Sequence, residues 1–183
     1  MRSVSAGIQP RLVVLRGNCG AGKSSVAAGI RDRYGHGIAL VGQDNLRRAI
    51  LREHDVPGGA NIDLVDTVAR FALGRGFHVI VEGILCAARY GHMLEALHRD
   101  HQSVACFYYL DVPLEETLRR HANRPQAAEF GEAEMRSWYR ERDLLPGGIE
   151  QVIPAASSLE DTVGLVMHEA GFAGGPMQPA AQL

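Results

Sequence analysis

The sequence predicts a doubly wound α/β domain: an open sheet of five parallel strands with helices on both faces. Three observations carry this. Short β-branched runs alternate with helical periodicity along the chain, the pattern of consecutive β-α units. The run FHVIV at residues 77–81 is apolar without interruption, as a strand covered on both faces must be. The first strand runs directly into a glycine-rich turn that opens a helix.

Taken in order, residues 11–16 (RLVVLR) form the first strand, and the helix after the glycine turn extends to about Tyr34. A second strand is expected at 37–41, followed by Asp44 as N-cap of an amphipathic run over 45–54. Pro57-Gly58-Gly59 breaks the chain, helical spacing resumes over 61–73, and Gly74 and Gly76 stop it. The strand at 77–81 ends at Glu82-Gly83, and a helix over 87–100 leads to a strand at 103–110. Asp111-Val112-Pro113 opens a helix over 114–123, with the proline in its first turn. Residues 125–131 form the lid loop, 132–145 a polar helix, 150–153 the last strand and 159–170 the closing helix. Residues 11–171 are expected to form one domain, between a flexible N-terminus (1–10) and a flexible tail (172–183).

At 183 residues, 46% hydrophobic and 22% charged, the composition is that of an ordinary soluble globular protein. The formal net charge of −2 provides no broad basic field, which argues against bulk nucleic-acid or anionic-membrane binding. The chain lacks an apolar run of transmembrane length, and residues 1–10 lack the apolar core of a signal peptide, so a cytoplasmic protein with no membrane partner is expected. Cys19, Cys86 and Cys106 have no ligand spacing and read as reduced thiols. The eight histidines read as mostly surface residues, none of them catalytic.

Residues 17–24 (GNCGAGKS) fit G-x-x-x-x-G-K-[ST], flanked by the strand and helix that this motif requires. In such a loop, backbone N–H groups turn inward around a phosphate and the helix N-terminus adds partial positive charge. The lysine reaches the β- and γ-phosphates, and the hydroxyl after it ligates Mg²⁺. Gly17, Asn18, Cys19, Gly20, Ala21, Gly22, Lys23, Ser24 and Ser25 are the expected nucleotide-binding residues, with Ser24 on the metal. The competing reading is a glycine turn that binds nothing. Lys23 is the single lysine beside eighteen arginines, as expected where a guanidinium fork cannot replace a compact ammonium.

A phosphate loop names a ligand and not a reaction, so the acceptor side must be sought elsewhere. Asp44 follows the second strand and projects from the C-terminal sheet edge, where open α/β folds bind ligands; Arg47 and Arg48 lie one turn on. A carboxylate beside guanidiniums can accept a hydroxyl proton and hold an anionic group. The plainer alternative is an N-cap followed by a solvated basic face. Glu82, at its strand end, supports Mg²⁺, contacts the acceptor, or merely starts a turn. Arg120 and Arg124 share a helix face and are expected to close over phosphate, unless Glu115 and Glu116 simply neutralise Arg119 and Arg120 at the surface. The polar helix with Trp138, Tyr139, Arg140 and Asp143 borders the acceptor pocket or gives its aromatics to the core.

The order of phosphate loop, D-x-x-R after the second strand, strand-end acid, LDVP and an R-x-x-x-R lid resembles the small P-loop kinases related to nucleoside monophosphate kinases. It is most similar to phosphotransferases of the chloramphenicol phosphotransferase, zeta-toxin and polynucleotide 5′-kinase type, from about Leu12 to Ala170. The resemblance implies a P-loop fold with the strand order 2-3-1-4-5 and a short lid, that Asp44 is a general base, that Arg47 grips substrate, and that Arg120 and Arg124 are lid arginines. Glu82 stands where those families commonly carry an aspartate. The expected chemistry is transfer of the ATP γ-phosphoryl group, with Mg²⁺, to a hydroxyl of a small nucleoside-, sugar- or antibiotic-type acceptor. Lys23, Arg120 and Arg124 would stabilise the transferred charge, and Arg47 or Arg48 would orient the acceptor. Two alternatives stay open. A polynucleotide 5′-hydroxyl kinase needs a basic channel that a net charge of −2 does not promise. A nucleotide-hydrolysing regulatory protein needs switch loops, and the guanine-reading [NT]KxD motif is missing from the sequence.

Overall fold

In the computed structural model, which describes residues 9–122 and 129–172, β1 (Leu12–Arg16), β2 (Ile38–Gly42), β3 (His78–Glu82), β4 (Ala105–Asp111) and β5 (Glu150–Pro154) form one sheet in the order β2-β3-β1-β4-β5. Every pairing is parallel, as expected. All five residues of β1 are buried, and strand alternation divides them between two cores. Leu12 and Val14 pack with Val79 and Val81 beneath α2 (Ala60–Gly74) and α3 (Ala87–Asp100). Val13 and Leu15 pack with Ile80 beneath α1 (Lys23–Tyr34) and α6 (Leu159–Glu169). Each such side chain contributes roughly 1.5–3 kcal/mol on burial. The apolar strands therefore fix a rigid sheet, with Arg16, Gly42 and Glu82 at the C-terminal ends of β1, β2 and β3.

The structure departs from the sequence expectations in specific places. The run after Asp44 is a seven-residue π-helix, Asn45–Leu51, ended by Arg52 with φ 52°; it is shorter than 45–54, and wide π turns recur at functional sites. Asp44 stands at its N-cap position with helical φ and ψ, and its side chain caps nothing. Pro113 occupies the N-cap position of α4 (Leu114–His121). The polar helix is only α5 (Glu132–Trp138), half the expected length. His78 and His121 are buried polar residues rather than surface ones. Phe172, expected in the tail, is buried against Tyr34 and His78. Residues 123–128, including Arg124 and most of the expected lid, lie outside the described residues, as do 1–8 and 173–183.

Tertiary contacts explain the short α5. Arg16, the fully buried last residue of β1, donates to Leu85 O (2.9 Å), Glu150 Oε1 (2.7 Å) and Asp143 Oδ2 (3.0 Å), with its guanidinium over the Tyr109 ring. A buried guanidinium requires such partners. Asp143 also accepts from Ala87 N (2.8 Å), and Glu150 from Leu145 N (2.6 Å). Residues 139–145 are thereby held as an irregular strap, with a turn at 141–142 where Arg142 has φ 44°, which overrides their helical periodicity.

His78 is expected to make folding pH-dependent. Its Nδ1 accepts from Arg11 N (2.9 Å) and its Nε2 meets Tyr34 Oη (2.9 Å). Burial, and then the Arg11 charge, hold its pKa below the ordinary 6.5. The native ring stays neutral where the unfolded chain binds a proton. His78 thus contributes stability above pH 6.5 that is lost as pH falls toward the lowered folded value. The slope is at most about 1.4 kcal/mol per pH unit. Denaturant midpoints for wild type and His78→Gln between about pH 7.5 and 5.5 check this, with the wild type expected to fall more steeply. Parallel profiles would remove His78 from the effect.

Candidate active site

The glycine loop leaves β1 where side chains cannot follow. A Cβ on Gly17 (φ 140°) would lie 2.6 Å from Leu110 O, and one on Gly20 (φ 82°) 2.7 Å from Thr117 O. The loop can therefore fold tightly between β4 and α4 only with glycine at both positions. Lys23 is buried, its Nζ donating to Asn18 O at 2.8 Å, and Ala21 N donates to the same carbonyl at 3.1 Å. Ser24 Oγ donates to Glu82 Oε2 at 3.1 Å. Parallel register sets this contact, because Glu82 pairs with Leu15 on one side and with Gly42 on the other. Burial raises the Glu82 pKa; the nearby Lys23 charge and the Ser24 hydrogen bond oppose the rise, and Asp44 adds to it. Lys23, Ser24, Glu82 and Asp44 share one electrostatic neighbourhood.

On the β2 side, Asp44 Oδ1 accepts from Arg47 Nη2 at 2.9 Å, while the Asp44 side chain stays 65% exposed. Arg47 also donates to Glu53 O (3.2 Å), which locks the end of the π-helix. Arg48 turns away to Glu129 (2.7 Å), and that bond raises its pKa. Beneath these residues lies a buried network. Gln43 Nε2 donates to Tyr90 Oη (2.7 Å), whose proton is shared between Asp55 Oδ1 (2.7 Å) and Asn61 Oδ1 (2.6 Å). Arg89 holds the other Asp55 oxygen (2.7 Å), and Glu53 accepts from Asn61 N and Nδ2. Burial, and then Asp55, raise the Tyr90 pKa well above its ordinary value, so the phenol acts as a neutral strut.

Arg120 joins the loop from the opposite side. Its Nε donates to Glu116 (2.6 Å), Nη1 to Ala21 O (3.3 Å) and Nη2 to Ala155 O (3.5 Å). Arg119 and Arg120 together pull the Glu116 pKa down to about 2. Glu115 instead meets Arg136 of α5 (3.1 Å). Between Arg120, the loop and the β5–α6 connection lies a cavity of about 420 Å³, with Val112, Ile153 and Leu159 among its apolar lining and Ser25 among its polar lining.

Sequence reasoning missed this cavity, the Tyr90 network and the Arg16 cluster. The cavity has a faint signal, since a Ser158 N-cap at the last strand-helix turn marks a site-forming edge of an open α/β sheet. The other two join residues far apart in sequence, which periodicity cannot pair.

A family model described as an AAA domain matches residues 12–145. The chain belongs to this family. The match runs from β1 through the phosphate loop, Asp44, Glu82, Arg120 and the strap. Solved structures of this AAA-domain protein's fold include a Mycobacterium tuberculosis APS kinase in complex with AMPPNP and APS, at 21% identity and TM-score 0.63, covering 87% of this chain and 96% of that one. A Janibacter sugar kinase has 17% identity and TM-score 0.62, covering 90% and 96%. A putative kinase from Chloroflexus aurantiacus has 14% identity and TM-score 0.66, covering 89% and 97%. At these identities the likeness is one of fold, and the fold is that of the small P-loop kinases, as the sequence resemblance implied. No curated protein matches the chain. Among the described residues, no helix is long and apolar enough to cross a membrane.

Proposed function

We propose that the protein is an ATP-dependent phosphotransferase that moves the γ-phosphoryl group to a hydroxyl of a small molecule. The observation that carries this reading is the shared sheet edge. The Ser24–Glu82 contact joins the phosphate loop to the end of β3, and Asp44, exposed and oriented by Arg47, follows the strand whose last residue pairs with Glu82.

In this reading the loop N–H groups and Lys23 bind the phosphates, and the cavity beside Arg120 takes the base. Its volume of about 420 Å³ lies in the usual range for small-ligand sites. Ser24 and Glu82 fit Mg²⁺, because that ion asks of a protein only a hydroxyl or one or two carboxylates, completing its shell with phosphate and water. When bound it neutralises charge developing on the phosphoryl oxygens. Arg47 holds the Asp44 carboxylate in place through their 2.9 Å ion pair, and Asp44 takes the acceptor's hydroxyl proton. Lys23 and Arg120 stabilise the transferred charge, with Arg124 as a further candidate. Arg47 is also the residue best sited to orient the acceptor.

The AMPPNP in the APS kinase complex supports an adenine nucleotide, and the sugar kinase supports a small hydroxylated acceptor. Charge pairing around the cleft favours that acceptor over a nucleic-acid strand: Asp44 matches Arg47, Glu129 matches Arg48, and Asp55 matches Arg89. The test is a panel of nucleosides, sugars and hydroxylated antibiotics incubated with Mg²⁺-ATP. Acceptor-stimulated ADP release is expected, with mass spectrometry finding the phosphorylated product. Labelling of oligonucleotide 5′ ends instead would select the polynucleotide reading, and ADP release independent of acceptor would select hydrolysis.

A further inference from the structure

Most guanidiniums along this edge meet a carboxylate, as Arg16, Arg47, Arg48, Arg89 and Arg120 do. Arg140 is bonded differently. Its backbone is gripped from both sides by Asn18 of the phosphate loop: Arg140 N donates to Asn18 Oδ1 (2.9 Å), and Asn18 Nδ2 donates to Arg140 O (2.8 Å). The same Asn18 accepts the Lys23 ammonium on its own carbonyl at 2.8 Å. One loop residue therefore holds both the lysine of the phosphate motif and the backbone of an arginine.

The strap around Arg140 is anchored three residues on, where Asp143 bonds Arg16 and Ala87 N, and Asp143 N donates to Tyr109 Oη (3.2 Å). Distant elements hold the backbone, whereas the guanidinium bonds carbonyls of its own neighbourhood. It is exposed, and its Nη1 donates to the carbonyls of Ser137 and Tyr139 at 2.9 Å each. Bonds to neutral carbonyls at the solvent surface are weaker than charge-assisted bonds to a phosphoryl oxygen.

We propose that Arg140 reads the terminal phosphate of the bound nucleotide. Its guanidinium leaves the carbonyls of Ser137 and Tyr139 for the γ-phosphoryl oxygens, while Asn18 keeps its backbone in register with the loop. The inference rests on the nucleotide-binding reading of that loop and adds a means of telling a triphosphate from a diphosphate. Loss of the contact on transfer would favour release of ADP.

Calorimetric binding of Mg²⁺-AMPPNP and Mg²⁺-ADP to wild type, Arg140→Ala and Arg140→Lys tests it. Arg140→Ala is expected to weaken AMPPNP about tenfold and ADP less than about threefold. The lysine variant should fall between, retaining charge without the planar fork. The thermal midpoint of the nucleotide-free protein should stay at the wild-type value, because the guanidinium is exposed. Equal weakening of both nucleotides, no weakening of either, or a lowered midpoint would overturn the role. A wild type that binds neither nucleotide would overturn the loop reading and this inference with it, and that failure is recognisable before any substitution is made.

Discussion

Asp44→Asn is expected to lower acceptor phosphorylation by about 10²- to 10⁴-fold, the range for loss of a general base. ATP affinity should stay within a few-fold, because this carboxylate lies on the β2 side of the edge and makes no hydrogen bond to the phosphate loop. Stability should barely change. The side chain caps no helix N–H, is largely exposed, and makes one ion pair to Arg47, an arrangement that contributes about 0–1 kcal/mol. Asparagine retains size and an oxygen for Arg47 but cannot take a proton. Turnover measured on an acceptor found in the panel, beside ATP calorimetry and a thermal melt, separates the possibilities. Near wild-type turnover would remove Asp44 as the base. A large drop in the melting midpoint would return it to a structural role.

Replacing Lys23 should have a comparably large effect with a different signature. Lys23→Ala is expected to cost about 10²- to 10³-fold or more in turnover, since it removes a preorganised charge from the phosphates. Here stability should fall as well. Lys23 is buried, donates to Asn18 O, and is the cation that holds down the Glu82 pKa, so its loss leaves a desolvated carboxylate less compensated. A cost of about 1–3 kcal/mol corresponds to several degrees in a domain of this size. Lys23→Arg should not rescue activity, because a planar fork does not fit a slot packed around a compact ammonium. Nucleotide should protect the wild type by mass action, about 2.7 kcal/mol at a hundredfold excess over Kd, and the variants much less. Equal protection of wild type and variants would take Lys23 out of nucleotide binding.

The type of the strands was determined locally. Residues 12–15 and 79–81 are apolar runs with no polar face, so only burial between two helical layers suits them, and the glycines of residues 17–22 permit one kind of turn at the end of β1. The phosphate-loop half of the site was legible for the same reason: its residues are contiguous, and their backbone geometry is set by their own sequence. Glu82 and Asp44 were readable as strand-end acids because a parallel sheet brings all C-terminal strand ends to one edge.

Tertiary structure alone decided the rest. Periodicity extends α5 to residue 145, yet the buried Arg16 charge needs Asp143 and Glu150 beside it, and satisfying that charge outweighs the few tenths of a kcal/mol per residue that helix propensity supplies. The Asn18 grip on Arg140 spans 122 residues of sequence and Tyr90–Gln43 spans 47, so neither leaves a pattern in any local window. Whether Asp44 caps a helix or offers its carboxylate to a ligand was likewise undecidable from the chain, because both uses favour the same residue at the same strand end. In the folded chain the Asp44 side chain caps no helix N–H and bonds Arg47 instead.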